Sequence, residues 1–436
     1  MPMASLALER APAAFLPLAH LRLAPAWGVL AALLLWHQGP TALASRWSLA
    51  TVALVHMFTL GVLGNAILGS LLQFLPVVAG VQQRLAEPLG AILPASYNLG
   101  VLGLVCGFLH WPPLLAPSGL LLALAIGGYS VSGLAGMRFD GRQTWLRIGL
   151  ALALSGLLAA AVLGLLLAAG LSGLISVPMV ALTDAHAAIG LVGGALLLAG
   201  TVGSVVLPMF QGTAVVPDRW LAAWMLGLVG ALAVTVALGV VGANDDWALL
   251  LAPPVAAFAV AVLVLQARAP HRRNRSLVAF WRLGACALLA ATALSLAATR
   301  WPDSRCAMVA GVLGIAVALP ALVLGMLLEI SAFLTWLELQ SSRVRGRGHR
   351  LPGVDSLLPE ACKLALLRWH VLAAISLVFA AAWPGSAAVR VAALALAAAY
   401  CLTCLELLAL WQRARRVAVA ALPAGLPLAG EPPGAP

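Results

Sequence analysis

The chain has 436 residues, 63% of them hydrophobic and only 9% charged, with a mean hydropathy of +1.04. Soluble globular domains carry about 25% charged residues, so this composition excludes a water-soluble enzyme or binding domain and points to a polytopic membrane protein. The net charge of +11 sits in short connections and chain ends with no basic domain beside them. That excludes nucleic acid as a partner and leaves the lipid bilayer.

In chain order, residues 1–22, "MPMASLALERAPAAFLPLAHLR", lack the basic, apolar and small-residue pattern of a cleaved signal and read as a cytoplasmic N-terminal lead-in. A hydrocarbon core ~30 Å thick takes about 20 apolar residues to cross. Twelve runs qualify within 23–411: roughly 23–37, 47–80, 92–110, 114–136, 145–170, 176–212, 219–241, 247–267, 277–298, 307–336, 365–382 and 387–411. The predicted fold class is therefore all-α, with twelve transmembrane helices. The first run is short and has to borrow upstream residues. The second, sixth and tenth are distinctly long and should tilt or project. Residues 412–436, rich in Pro, Ala and Gly, read as a cytoplasmic tail.

With twelve crossings, all but four of the 25 Lys and Arg residues fall on the side that holds both termini, the exceptions being Arg46, Arg300, Arg305 and Arg390. Positive charge collects on the cytoplasmic side, so both termini are expected there, in a bacterial inner membrane. "RAPHRRNR" (268–275) and "RVRGRGHR" (343–350) would meet anionic headgroups. Cys401 and Cys404 form a CxxC inside an apolar run, where packing is the plain reading. Zinc-type Cys/His spacing is absent.

Ionisable groups inside a span are functional-site hypotheses by default. His56, in "LVHMFTLGVLGNAILGSLLQFLPVVAG" (54–80), and His186, in "DAHAAIG" (184–190), each fall about ten residues into their runs, or ~15 Å at ~1.5 Å per residue. A neutral imidazole can ligate haem iron or copper, or donate to a carbonyl of a neighbouring helix. His37 and His110 close the first and third runs, and His370 opens the eleventh, as interfacial residues. Gly61, Gly64 and Gly69 on the second run, with Gly190, Gly193, Gly200 and Gly203 on the sixth, bare one helix face. Such a face suits close packing or the approach of a flat macrocycle. Asp184 lies about 200° around the helix from His186; it either orients a neighbouring ligand or caps the start of the helix. Glu329 and Glu406 mark a proton path or are hydrogen-bonded buried carboxyls.

Runs two and six share a layout: a histidine near one end, then glycines, then a proline 20 or 22 residues on (Pro76, Pro208). The tenth run carries Pro320 and Gly325, which gives a period of four runs. This layout resembles heme-copper oxidase subunit I, and "HMFTLGVLGNAILGSLLQFLPVV" (56–78) is similar to the second helix of that superfamily. "VVLPMFQG" (205–212), and "GMLLEISAFLTWLELQ" (325–340) followed by "LPGVDSLLPE" (351–360), resemble oxidase-like membrane proteins of proteobacteria and the NnrS nitric-oxide-response family. The resemblance implies a bundle with pseudo-threefold repeats of four helices. It implies haem on His56 with Met57 beside it, and His186 at the position of a copper ligand. This sequence departs from the oxidases in having no histidine on the seventh or the tenth run. Their copper site and their second haem ligand are thus incomplete, and oxygen reduction is not expected. The reading is an oxidase-like inner-membrane protein that holds haem or copper through His56, His186 and Met57, serves nitric-oxide or metal stress, and meets a cytochrome or respiratory-chain partner. Two alternatives stand beside it: a permease using Asp184, His186 and Glu329 as pathway residues, and a cofactor-free assembly or scaffold subunit. Whether the chain is an enzyme stays open.

Overall fold

Twelve apolar helices follow one another along the chain. They are α1 (Phe15–Leu43), α2 (Leu49–Val77), α3 (Ile92–Leu109), α4 (Pro112–Ala135), α5 (Thr144–Leu171) and α6 (Met179–Gln211), then α7 (Asp218–Val240), α8 (Ala248–Ala267), α9 (Arg275–Arg300), α10 (Arg305–Gln340), α11 (Glu360–Ala382) and α12 (Ser386–Val419). The computed structural model describes residues 10–82, 90, 92–139, 141, 143–242, 247–271, 273–301, 304–341 and 352–420, and no strand occurs among them. Each helix is long and apolar enough to cross a membrane. A spanning segment has no water to satisfy its backbone, so it must close its own hydrogen bonds, and these Leu-, Ala- and Val-rich runs do so as helices. Glycine ends some of them. Gly212 stops α6 at φ +70°, with the carbonyl of His271 in the place a side chain would take. A residue with a Cβ would be strained there.

The ends of the helices shift three expectations. α1 begins at Phe15, so residues 15–22 are its first two turns and His20 lies inside the protein, fully buried. α11 begins at Glu360, which puts His370 ten residues within the helix instead of at its interfacial start. α12 runs to Val419, beyond the expected limit at 411. With 34 residues in α12 and 29 in α1, against 29 in α2, length does not single out α2, α6 and α10.

Backbone form does single them out. π-helical turns occupy Met57–Gly64 in α2, Ile189–Leu196 and Leu207–Gln211 in α6, and Val312–Ala318 in α10. A π-turn disturbs the helical hydrogen-bond ladder and is found often at functional sites. In α2 the disturbance is met by Tyr97 of α3, whose hydroxyl donates to the Leu60 carbonyl at 2.7 Å.

Each helix packs against its neighbours in sequence, and α1 closes on α12, so the bundle forms a ring. α10 lies inward, against α1, α2, α9, α11 and α12, and α6 reaches α9. α1, α2, α6 and α10 are more than half enclosed by protein, whereas only 22% of α5 is. Two of the enclosed helices, α2 and α6, carry His56 and His186.

Candidate metal centre

His56 and His186 each stand seven residues from the start of their helix, at matching depth, just before the first π-turn of that helix. The structure brings them together. Their ring centroids are 6.2 Å apart and the planes differ by only 18°. The Nδ1–H of His56 donates to the Val52 carbonyl at 2.8 Å, and that of His186 to the Ala160 carbonyl of α5 at 2.9 Å. A carbonyl can only accept, so Nδ1 carries the proton in both rings. In a neutral imidazole the other nitrogen, Nε2, then keeps its lone pair. Among the described residues neither Nε2 has a hydrogen-bond partner. A histidine oriented through one nitrogen by a carbonyl, with the other free, has the usual set-up of a metal ligand. The two Nε2 atoms are thus the nitrogens that could hold a metal ion, on rings that lie nearly parallel with centroids 6.2 Å apart.

The surroundings of the pair are tight. Phe108 of α3 lies 5.2 Å from the His56 ring, and a Cβ on Gly164 of α5 would come within 3.1 Å of the His186 ring. The glycine faces are filled: Trp27 covers Gly61, the Tyr97 hydroxyl covers Gly64, and Trp224 and Trp281 cover Gly200 and Gly203. At these four positions the bare face is a close helix–helix contact.

The other expected residues fall elsewhere. Met57 is buried in the apolar core, and the ring contacts of the two histidines are with each other and with Phe108. Asp184 does not cap α6, whose N-cap is Pro178; it pairs with Arg46 of the α1–α2 connection at 3.0 Å. Glu329 is held at 2.6 Å by Lys363, the chain's only lysine, which Glu360 also contacts at 3.3 Å. Glu406 pairs with Arg413 at 2.7 Å. Both carboxylates therefore have cationic partners, which the sequence reading did not supply. His370 is an interior residue: its Nε2 shares a hydrogen bond with Thr403 at 3.1 Å, and its ring meets Tyr400 edge-on beside a cavity of ≈ 20 Å³. His37 and His110 are exposed at helix ends. Among the described residues no three His, Cys, Asp or Glu side chains converge on one point.

A second polar cluster went unread in the sequence. His20 joins Asn65 through Nδ1 at 2.8 Å and Tyr129 through Nε2 at 2.6 Å. Asn65 bonds Asn98 at 2.9 Å, and Asn98 accepts from Trp27 at 2.7 Å. The one signal for it was a pair of lone asparagines inside apolar runs two and three.

No protein-family model matches this chain, and no curated protein matches it. What the structure defines is a class: an all-helical protein with twelve helices able to span a membrane.

Proposed function

We propose that the chain is a multi-pass inner-membrane protein whose His56 and His186 hold one transition-metal ion, copper(I) foremost. The observation that carries this reading is the pair itself: two imidazoles 6.2 Å apart at equal depth, each tied by Nδ1 to a carbonyl. Imidazole suits copper, and the Nε2 atoms of His56 and His186, the ones left without partners, would hold the ion. Such an ion keeps coordination positions open, which fits binding a small diatomic ligand or passing the ion on, as in nitric-oxide or metal stress. The partition of basic residues supports cytoplasmic termini. The π-turns at similar depth in α2, α6 and α10 support an oxidase-like arrangement repeated every four helices. Haem iron on the same two residues is the second reading, favoured by the same unpartnered nitrogens and opposed by the filled glycine faces and Phe108.

The test is elemental analysis and an absorption spectrum of protein purified from cells supplied with copper and haem. About one copper per chain and no Soret band is expected, with copper lost in both His56→Ala and His186→Ala. A Soret band that His56→Ala abolishes would transfer the site to haem. Protein with neither metal nor Soret band, and no copper uptake on titration, would overturn both readings.

A further inference from the structure

The end of α1 and the start of α12 share a membrane face, and between them runs an apolar groove of ≈ 190 Å³. Ala32 and Ala393, each 1% exposed, form its floor, and Leu33, Trp36 and Leu394 form its open walls, with Ala397 at the far end. Arg390 lies in the first turns of α12, with its guanidinium over the Trp36 ring at 5.6 Å. The guanidinium is exposed, and among the described residues no carboxylate pairs with it. Trp47, Trp111, Trp301 and Trp383, all exposed, stand at helix ends on the same face. An exposed tryptophan belt marks headgroup level in a bilayer. On α12 the groove runs from Ala393 to Ala397, and Arg390 stands three residues before it, ~10 Å along the helix from Ala397 at ~1.5 Å per residue.

We propose that this groove is a binding site for one anionic phospholipid, with its phosphate on Arg390 and one acyl chain between α1 and α12. The charge pattern argues for that occupant. The face is poor in basic residues, and an unpaired guanidinium held at headgroup depth above an apolar channel offers both parts a phospholipid needs. The indole beneath it fixes the cation by cation–π attraction. Small floor residues let the two helices pack closely while leaving a trough above them.

The experiment is native mass spectrometry of the full chain extracted from vesicles of equal phosphatidylglycerol and phosphatidylcholine. Wild type should retain phosphatidylglycerol preferentially. R390Q should lower that preference about fivefold, the effect of one basic residue near an anionic surface, and A397F, which fills the trough, should lower retention of both lipids. If A397F does not give a monodisperse protein, L33S takes its place, with the same expectation. Equal retention of both lipids by wild type, or an R390Q protein with undiminished preference, would overturn the proposal, as would unchanged retention in the groove variant.

Discussion

His20 and the His56–His186 pair are both histidines inside the bundle, but they differ in what their nitrogens do. His20 is completely buried and uses both nitrogens, one on Asn65 and one on Tyr129. Asn65 goes on to donate to the Gly61 carbonyl at 2.8 Å, and Asn98 to the Pro94 carbonyl at 2.8 Å. A buried polar network satisfied in this way rigidifies its surroundings and has no bond left for a ligand. His56 and His186 each use one nitrogen on a carbonyl and leave the other free. Burial of an imidazole therefore does not separate the two regions; the nitrogen left without a partner does. Lys363 and Glu329 belong with His20, as a charged version of the satisfied class.

Removing a charged member of that class should have the largest effect. Lys363→Met leaves Glu329 buried without its 2.6 Å partner, and an uncompensated buried charge costs ~3–5 kcal/mol. The thermal midpoint in detergent should fall further than for any other variant considered, with copper content unchanged in the folded fraction. Lys363→Met combined with Glu329→Leu should recover most of the loss, since an apolar pair replaces a buried ion pair at little cost. A double variant as unstable as the single one would show that the charges are not the cause.

His20→Leu sharpens the contrast directly. It strands Asn65 and Tyr129, and each unsatisfied buried group costs ~1–3 kcal/mol, so the midpoint should drop clearly, by less than for Lys363→Met, with metal retained. His56→Ala should give the reverse: metal lost and the midpoint nearly kept. If His20→Leu lost the metal at unchanged stability, the two regions would have exchanged roles.

The twelve helices were legible because apolar runs of this length have one stable form in a bilayer. His56 and His186 were legible as candidates because an imidazole in such a run is conspicuous. Their approach was not, since it depends on how α2 and α6 sit in a closed ring, which no local pattern in either run encodes. His20 escapes a sequence reading for a boundary reason: "FLPLAHLR" (15–22) contains Pro17 and ends on Arg22, yet proline is tolerated in the first turn of a helix, and α1 starts there. Glu329 reads as a lone carboxyl because Lys363 lies two residues before the expected start of the eleventh run at 365, whereas the helix that carries it begins at Glu360. The filled glycine faces also lay beyond the sequence, because Trp27, Tyr97, Trp224 and Trp281 come from other helices.

The smallest effect on stability is expected at Arg46, and there the comparison turns on access instead of satisfaction. The Arg46 and Asp184 side chains are 52% and 35% exposed, and exposed ion pairs contribute only ~0.2–1 kcal/mol. Arg46→Gln should leave the midpoint nearly unchanged. The pair nevertheless ties the α1–α2 connection to α6 two residues before His186, across the end of the bundle from which the two imidazoles are nearest. The His20 network has no comparable closure, because its polar groups bond one another within the interior of α1 to α4. Loosening the pair should therefore speed removal of copper(I) by a water-soluble chelator, with the same final occupancy in chelator-free buffer. Stopped-flow absorbance of the chelator complex gives the rate. An unchanged rate, at unchanged occupancy, would mean that the ion leaves by another route and that Arg46 only fastens the loop.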